Sequence, residues 1–129
     1  MQNEFNYSLQ KLSDAFGRLN DGISNTKDEL DKDGVIQRFE FTFELLWKTL
    51  KIFLEDKGIL CRSPKDCLVE SFKFGIIEDE EPFLEMLDDR NKMSHLYSRE
   101  ESESIFERVK EKYVSEIEKV IKNITSNSH

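Results

Sequence analysis

The feature that most constrains this chain is the spacing of its apolar residues, which recur at steps of three and four from residue 5 to residue 124. Such steps mark one face of an α-helix, whereas a half-buried strand needs apolar and polar residues in alternation. No alternating run flanked by hairpin turns occurs in the 129 residues. The spacing therefore predicts an all-α protein, an up-and-down antiparallel helical bundle of four long helices and one short one.

Capping residues divide this pattern into helices. Ser63 before Pro64 predicts a helix start, because serine caps a helix and proline suits its first position. A serine or threonine followed three residues later by glutamate predicts a capping box. Such boxes are predicted at Thr26–Glu29 and Ser98–Glu101. Further helix starts are predicted at Asp33 and Gly34, as a start or a kink, and near Asp79, with Pro82 in the first turn. Helix ends are predicted at Lys57–Gly58 and at Gly75. We expect one domain over residues 1–125 and a frayed tail at 126–129.

The second helix is apolar on two sides. Its main stripe is formed by Ile36, Phe39, Phe43, Leu46 and Leu50, and its second stripe by Phe41, Leu45 and Ile52. A helix of this kind is usually buried on two sides. In a small bundle the second side often faces another subunit, so the second stripe predicts a homodimer contact.

Composition excludes several kinds of protein. The formal net charge is −8, which argues against a general nucleic-acid coat or a protein that binds anionic membranes, since both need a basic surface. No apolar run approaches the roughly 20 residues that span a bilayer, so we expect no membrane segment and a cytoplasmic location. Cys61 and Cys67 are interpreted as reduced thiols, with a disulfide or a metal as alternatives. His95 and His129 do not complete a four-ligand set with them, so no metal site is predicted.

The segment DDRNKMSHLY, residues 88–97, carries the candidate chemistry. At about 100° per residue, Arg90 and Tyr97 share one stripe of a helix, and Asn91 and His95 share its neighbour. An imidazole can take a proton from a ribose 2′-hydroxyl, and a guanidinium can bind a phosphate and offset charge in the transition state. Asn91 would orient the imidazole or a phosphate oxygen. The structural alternative pairs Arg90 with Asp88, Asp89 or Glu85 and lets His95 close the helix.

Two segments together resemble a known family: DGVIQRFEFTFELLWKTLK at residues 33–51 and RNKMSHLY at residues 90–97. The stretch SPKDCLVESFKFGII between them also fits the short third helix of that family. The pattern is similar to the HEPN superfamily, and more narrowly to HepT-like toxins, which are also described as nucleotidyltransferase substrate-binding proteins. The second segment matches the family signature Arg-Asn-x-x-x-His-x-Tyr without a gap.

The resemblance implies a helical bundle that forms a homodimer, with a composite site for metal-independent RNA cleavage and no cofactor. It makes Arg90 and His95 the catalytic residues and Asn91 a supporting residue. It implies a minimal nucleotidyltransferase partner that transfers AMP from ATP to Tyr97 and so blocks the site. The alternative function is a non-catalytic subunit that presents a substrate to the nucleotidyltransferase. A bundle that only mediates assembly is the third hypothesis.

Charged and aromatic residues outside the signature have simpler interpretations. Glu40, Glu44 and Lys48, four apart, predict an exposed ladder of ion pairs on the second helix. Trp47 is interpreted as a core or dimer contact. A local basic cleft for RNA would have to be formed by Lys48, Lys51, Lys92 and Arg99. No glycine-rich phosphate loop is present, so we expect no Walker-type ATP binding.

Overall fold

The structure, a computed structural model, describes residues 2–92 and 98–127. Its helices are α1 (Gln2–Ser24), α2 (Glu29–Asp56), α3 (Pro64–Phe74), α4 (Glu81–Lys92), α5 (Arg99–Arg108), a π-helical segment (Val109–Tyr113) and α6 (Val114–Ser126). The last three elements follow one another without a break and form one rod. No strand occurs in the two described ranges, and the predicted all-α class is confirmed.

Helices α1 and α2 pack antiparallel along their length. The Ser8 hydroxyl near the start of α1 bonds the Thr49 hydroxyl near the end of α2 at 2.6 Å. Toward the other ends, Arg38 Nη1 donates to the carbonyl oxygen of Arg18 at 2.7 Å. A Cβ atom added at Gly22 would lie 3.0 Å from Arg38 Nη1, so the glycine provides the room that this crossing needs.

The rod from α5 to α6 runs parallel to α2 and completes the up-and-down order. Lys32 near the start of α2 reaches Glu103 at 2.9 Å, and Lys57 just beyond its end reaches the carbonyl oxygen of Asn127 at 3.4 Å. These two contacts show that the helices are parallel. Because α2 also packs against α1, α3 and α4, it is the central helix of the bundle. No helix within the described ranges is both long and apolar enough to cross a membrane.

The two apolar stripes of α2 differ in their surroundings. The main stripe is fully buried, as predicted. Leu45 and Ile52 of the second stripe are half-buried against the same core, whereas Phe41 is 53% exposed. Of the three residues of the second stripe, Phe41 is therefore the one that remains exposed.

The predicted boundaries are correct at α3 and α5. Ser63 Oγ accepts from the backbone N–H of Asp66 at 3.1 Å, with Pro64 as the first helical residue. Gly75 ends α3 with φ of 98°, a left-handed conformation that glycine adopts without a Cβ clash. Ser98 begins α5 with the predicted capping box.

The predicted start of α2 is wrong. Asp28, not Thr26, caps this helix, and its carboxylate accepts from Asp31 N–H at 2.9 Å. The Thr26 hydroxyl instead donates to the carbonyl oxygen of Gly22 at 2.8 Å and so closes α1. Neither a start nor a break occurs at Gly34, which lies inside a continuous α2.

The interpretation of the cysteines as thiols is also wrong, because Cys61 and Cys67 form a disulfide. The turn between α2 and α3 folds back on itself, since the Asp66 carboxylate accepts from the backbone N–H of Arg62 at 3.2 Å. This turn brings the two Cα atoms to 5.1 Å. Both cysteines are buried, so the disulfide joins the start of α3 to the core.

Candidate functional site

Helix α4 positions Arg90 at the edge of its buried face. Phe83 and Met86 are at most 1% exposed, and Leu87 is half-buried against the same core. Arg90 follows Leu87 by three residues, so it lies on the flank of this face, with 30% of its side chain exposed. The predicted placement of Arg90 at the border of the apolar face is confirmed.

The partner of Arg90 comes from another helix. Its Nη2 group forms an ion pair with Oε1 of Glu44 on α2, and its Nη1 group donates to Oδ1 of Asn91 at 3.2 Å. The predicted alternative, a pair with an acidic neighbour on the same helix, is wrong. Asn91 does lie beside Arg90, as the segment 88–97 predicts.

Glu44 is held from both sides. Only 26% of its side chain is exposed, and the indole N–H of Trp47 donates to its Oε2 atom at 3.1 Å. The predicted exposed ladder with Glu40 and Lys48 is therefore wrong at Glu44, whose carboxylate turns toward α4. The ring of Trp47 packs partly against the core, while its indole N–H points to Glu44.

The residue before Arg90 is the centre of a buried network that the sequence reasoning missed. Asp89 is 1% exposed. Its carboxylate accepts from Nε and Nη2 of Arg108 at 2.9 and 2.8 Å and from the Tyr113 hydroxyl at 2.5 Å. The signal for it is the position of Asp89 three residues after Met86, on the apolar face, where a carboxylate needs a buried partner.

The π-helical segment allows both donors to reach Asp89. On an ideal α-helix, Arg108 and Tyr113 would point about 140° apart, because five residues turn the chain by about 500°. Here the N–H of Val114 bonds the carbonyl oxygen of Val109, five residues back, which widens the turn. The side chains of Arg108 and Tyr113 thereby meet at the Asp89 carboxylate. Their hydrogen bonds hold α4 in place at the residue that precedes Arg90.

The two hydrogen-bond donors of this network, Arg108 and Tyr113, keep their protons at neutral pH. Burial, together with the hydrogen bond to Asp89, raises the pKa of Tyr113 above its ordinary value of 10. The hydrogen bond to Asp89 likewise raises the pKa of the Arg108 guanidinium. Both side chains therefore remain donors, and the Asp89 carboxylate is fully engaged inside the protein.

The surface near Arg90 carries charges of both signs. Lys48 is exposed one turn beyond Glu44, and Lys51 is half-buried. The Lys92 ammonium lies 3.8 Å from Asp89 Oδ1, so part of its charge is offset. On the far side of α4 a groove is lined mainly by acidic residues, among them Asp79, Glu81, Glu85, Asp88 and Glu116. Lys92 also lines a groove with Arg108 of α5, so it lies toward α5 rather than toward Lys48 and Lys51 on α2. Arg99 is exposed at the start of α5, and the four cations of the predicted basic cleft therefore lie on three different helices.

Two of the four predicted site residues lie outside the described residues. These are His95 and Tyr97, which belong to the interval between α4 and α5. Arg90 and Asn91 are described, and the structure brings them together. The part of the chain that the structure describes contains no cluster of three or more His, Cys, Asp or Glu residues suited to a metal ion.

Comparison with known proteins finds a matching family and similar proteins. Residues 3–126 match the family model described as "Nucleotidyltransferase substrate binding protein like". A curated protein of Haemophilus influenzae, "Probable ribonuclease HepT", is 33% identical in an alignment over 81 residues that covers 59% of this chain and 56% of that protein. The chain thus matches little more than half the length of this relative. A crystal structure of a protein from Thermus thermophilus has a TM-score of 0.75 and 26% identity, covering 92% of this chain and 98% of that one.

Proposed function

The chain belongs to the family of nucleotidyltransferase substrate binding protein like proteins, and from this premise we propose that it is a HepT-like toxin. Its activity is metal-independent endoribonuclease cleavage, and a minimal nucleotidyltransferase is the partner that neutralises it. We also propose a cytoplasmic location, because the proposed substrate is RNA. Support comes from the relative named as a probable ribonuclease and from the geometry at Arg90.

The observation that carries the proposal is the placement of Arg90. A partly exposed guanidinium sits at the edge of an apolar helix face, fixed by Glu44 and Asn91 rather than lost in solvent. A guanidinium fixed in this way is suited to bind the two free oxygens of a phosphodiester and to offset the charge that develops there.

The second catalytic group is His95, five residues after Arg90 in the sequence. Its neutral imidazole takes the proton of a ribose 2′-hydroxyl, and the 2′-oxygen then attacks the adjacent phosphorus. The bond from phosphorus to the 5′-oxygen breaks, and an imidazolium returns a proton to that oxygen. The products are a 2′,3′-cyclic phosphate end and a 5′-hydroxyl end.

Tyr97 is the proposed acceptor of the inactivating group. Its phenolic oxygen gives up its proton to water and attacks the α-phosphorus of ATP in the active site of the nucleotidyltransferase, and pyrophosphate leaves. The resulting AMP-tyrosine carries a negative phosphodiester two residues from His95. That group competes with RNA for Arg90, so the modification is a local charge switch.

We propose that the active form is a homodimer in which Arg90 and His95 of two protomers meet. The exposed ring of Phe41 supports this assembly, since it lies on α2 one turn before Glu44, the ion-pair partner of Arg90. This ring is 53% exposed and so has apolar area available for a contact with a second subunit. Light scattering at micromolar concentration should give the dimer mass, and a monomer would contradict the composite site.

The second candidate function is a non-catalytic subunit that presents a substrate to the nucleotidyltransferase. Two observations favour it: the description of the matched family and the net charge of −8, which opposes RNA binding. In that case Arg90 would bind the phosphate of a nucleotide without cleaving it. Only an activity measurement separates the two functions.

The deciding experiment is an RNA-cleavage assay in the presence of EDTA, with protein whose mass shows no added AMP. We expect the wild type to cut RNA and to leave cyclic phosphate ends. Arg90→Ala should lower the rate by about 10²–10³-fold, as loss of one transition-state donor does, and His95→Ala should abolish cleavage. Arg62→Ala, which removes the same charge from an exposed loop, should cut at the wild-type rate.

A wild type that leaves RNA intact after its mass is verified would reject the ribonuclease and favour the substrate-presenting subunit. Equal loss in the Arg90→Ala and Arg62→Ala variants would show that Arg90 acts only through overall charge.

A further inference from the structure

The phosphate-binding group proposed above is already occupied in this structure. The carboxylate of Glu44 is an anionic partner, as a phosphate would be, and its Oε1 atom forms an ion pair with Arg90 Nη2. The Oε1 atom in this ion pair is itself buried, so the carboxylate does not rest in bulk water. RNA must therefore bind beside a fixed negative charge or displace it.

Trp47 keeps Glu44 in this position. Its indole N–H donates to the second carboxylate oxygen, so both oxygens of Glu44 have partners on the protein. Trp47 and Glu44 are three residues apart on α2, a spacing that makes their side chains neighbours. The three residues form a chain of contacts from Trp47 through Glu44 to Arg90.

We propose that Glu44 is a positioning residue that limits the affinity of the site for RNA: it holds Arg90 in the resting protein and is displaced when an RNA phosphate binds. The proposal rests on the proposed function, because it concerns the same guanidinium. A carboxylate left within about 4 Å of a phosphodiester repels it, and in water-like surroundings this repulsion corresponds to about a fivefold loss of affinity. Glu44→Gln removes the charge and keeps an oxygen that can accept from Trp47.

The test uses the full chain and a 2′-O-methyl oligoribonucleotide, which binds but lacks the attacking hydroxyl. We expect Glu44→Gln to bind it about fivefold or more tightly than the wild type. Glu40→Gln is the matched control, because it removes the same charge one turn earlier on the same helix and should change affinity much less. In an Arg90→Ala background, Glu44→Gln should gain no more than Glu40→Gln does.

The single tryptophan gives an independent readout. Without RNA, Arg90→Ala should already change the Trp47 emission, because it frees the carboxylate that accepts from the indole. Saturating oligonucleotide should change the wild-type emission in the same direction.

An equal gain for Glu44→Gln and Glu40→Gln, or a gain that persists in the Arg90→Ala background, would overturn the proposal and leave the ribonuclease intact. An emission that ignores both Arg90→Ala and the oligonucleotide would do the same. Failure of every variant to bind the oligonucleotide would overturn the proposed function and the displacement together.

Discussion

Removing the Asp89 carboxylate should destabilise the protein more than removal of any surface charge. Asp89→Ala deletes an acceptor that is 1% exposed and that takes three hydrogen bonds, two from Arg108 and one from Tyr113. Breaking a buried pair by deleting one partner costs about 3–5 kcal/mol, because the other charge loses its compensation. Arg108 is partly solvent-accessible and has Glu85 Oε2 at 3.9 Å as a second partner. We therefore expect the lower end, about 3 kcal/mol.

The measurement is equilibrium urea unfolding at pH 7, followed by circular dichroism and by Trp47 emission. Asp88→Ala is the matched control, since it removes the same charge from the exposed preceding residue and should change stability by no more than about 0.5 kcal/mol. A double-mutant cycle of Asp89→Asn with Tyr113→Phe should give a coupling of about 1 kcal/mol or more. A loss below about 1 kcal/mol for Asp89→Ala, or additive effects in the cycle, would refute the view that this network fixes α4.

Two further predictions concern pH and redox state. The raised pKa of Tyr113 means that its stabilising effect is complete below pH 10 and falls above it, because the unfolded tyrosine releases its proton while the folded one retains it. The free energy of unfolding of the wild type should therefore drop more steeply between about pH 9 and pH 11 than that of Tyr113→Phe, and parallel curves would contradict the raised pKa. Reduction of the Cys61–Cys67 disulfide opens a short loop and should cost about 2 kcal/mol. The melting temperature of the wild type should fall by several degrees with a phosphine reductant, whereas a Cys61→Ala/Cys67→Ala variant should melt at one temperature with and without it.

Local signals in the sequence predicted the parts of the fold that local energetics decide. Serine and proline at the start of α3, and the capping box at Ser98, need only their own neighbours to satisfy the first helical N–H groups. The start of α2 was predicted wrongly because Thr26 and Asp28 both suit a cap. Thr26 is used by the end of α1, where it closes on Gly22, and so Asp28 remained for α2.

Contacts between helices explain the errors at the candidate site. The spacing of Glu44 and Lys48 suits a local ion pair, but Arg90 arrives from α4 only after the chain has folded. The π-helical segment was not predicted either, because the partner that Arg108 and Tyr113 share, the Asp89 carboxylate, lies on another helix. The sequence could predict that Arg90 lies at the border of an apolar face. It could not predict which carboxylate pairs with it.

The negative charge of the chain and its proposed substrate can be reconciled by where the carboxylates lie. Asp88 and Asp89 directly precede Arg90, and from the sequence alone their two carboxylates would be expected to repel the phosphates of RNA. In the structure the Asp89 carboxylate points into the protein and its charge is offset by Arg108, while the acidic groove is on the far side of α4. The carboxylate in contact with the Arg90 guanidinium is that of Glu44. Net charge controls long-range attraction, which salt screens beyond about 10 Å, whereas binding of one phosphate depends on the charges within contact distance. The proposed affinity for RNA should therefore depend less on the total charge of −8 than on whether Glu44 remains paired with Arg90.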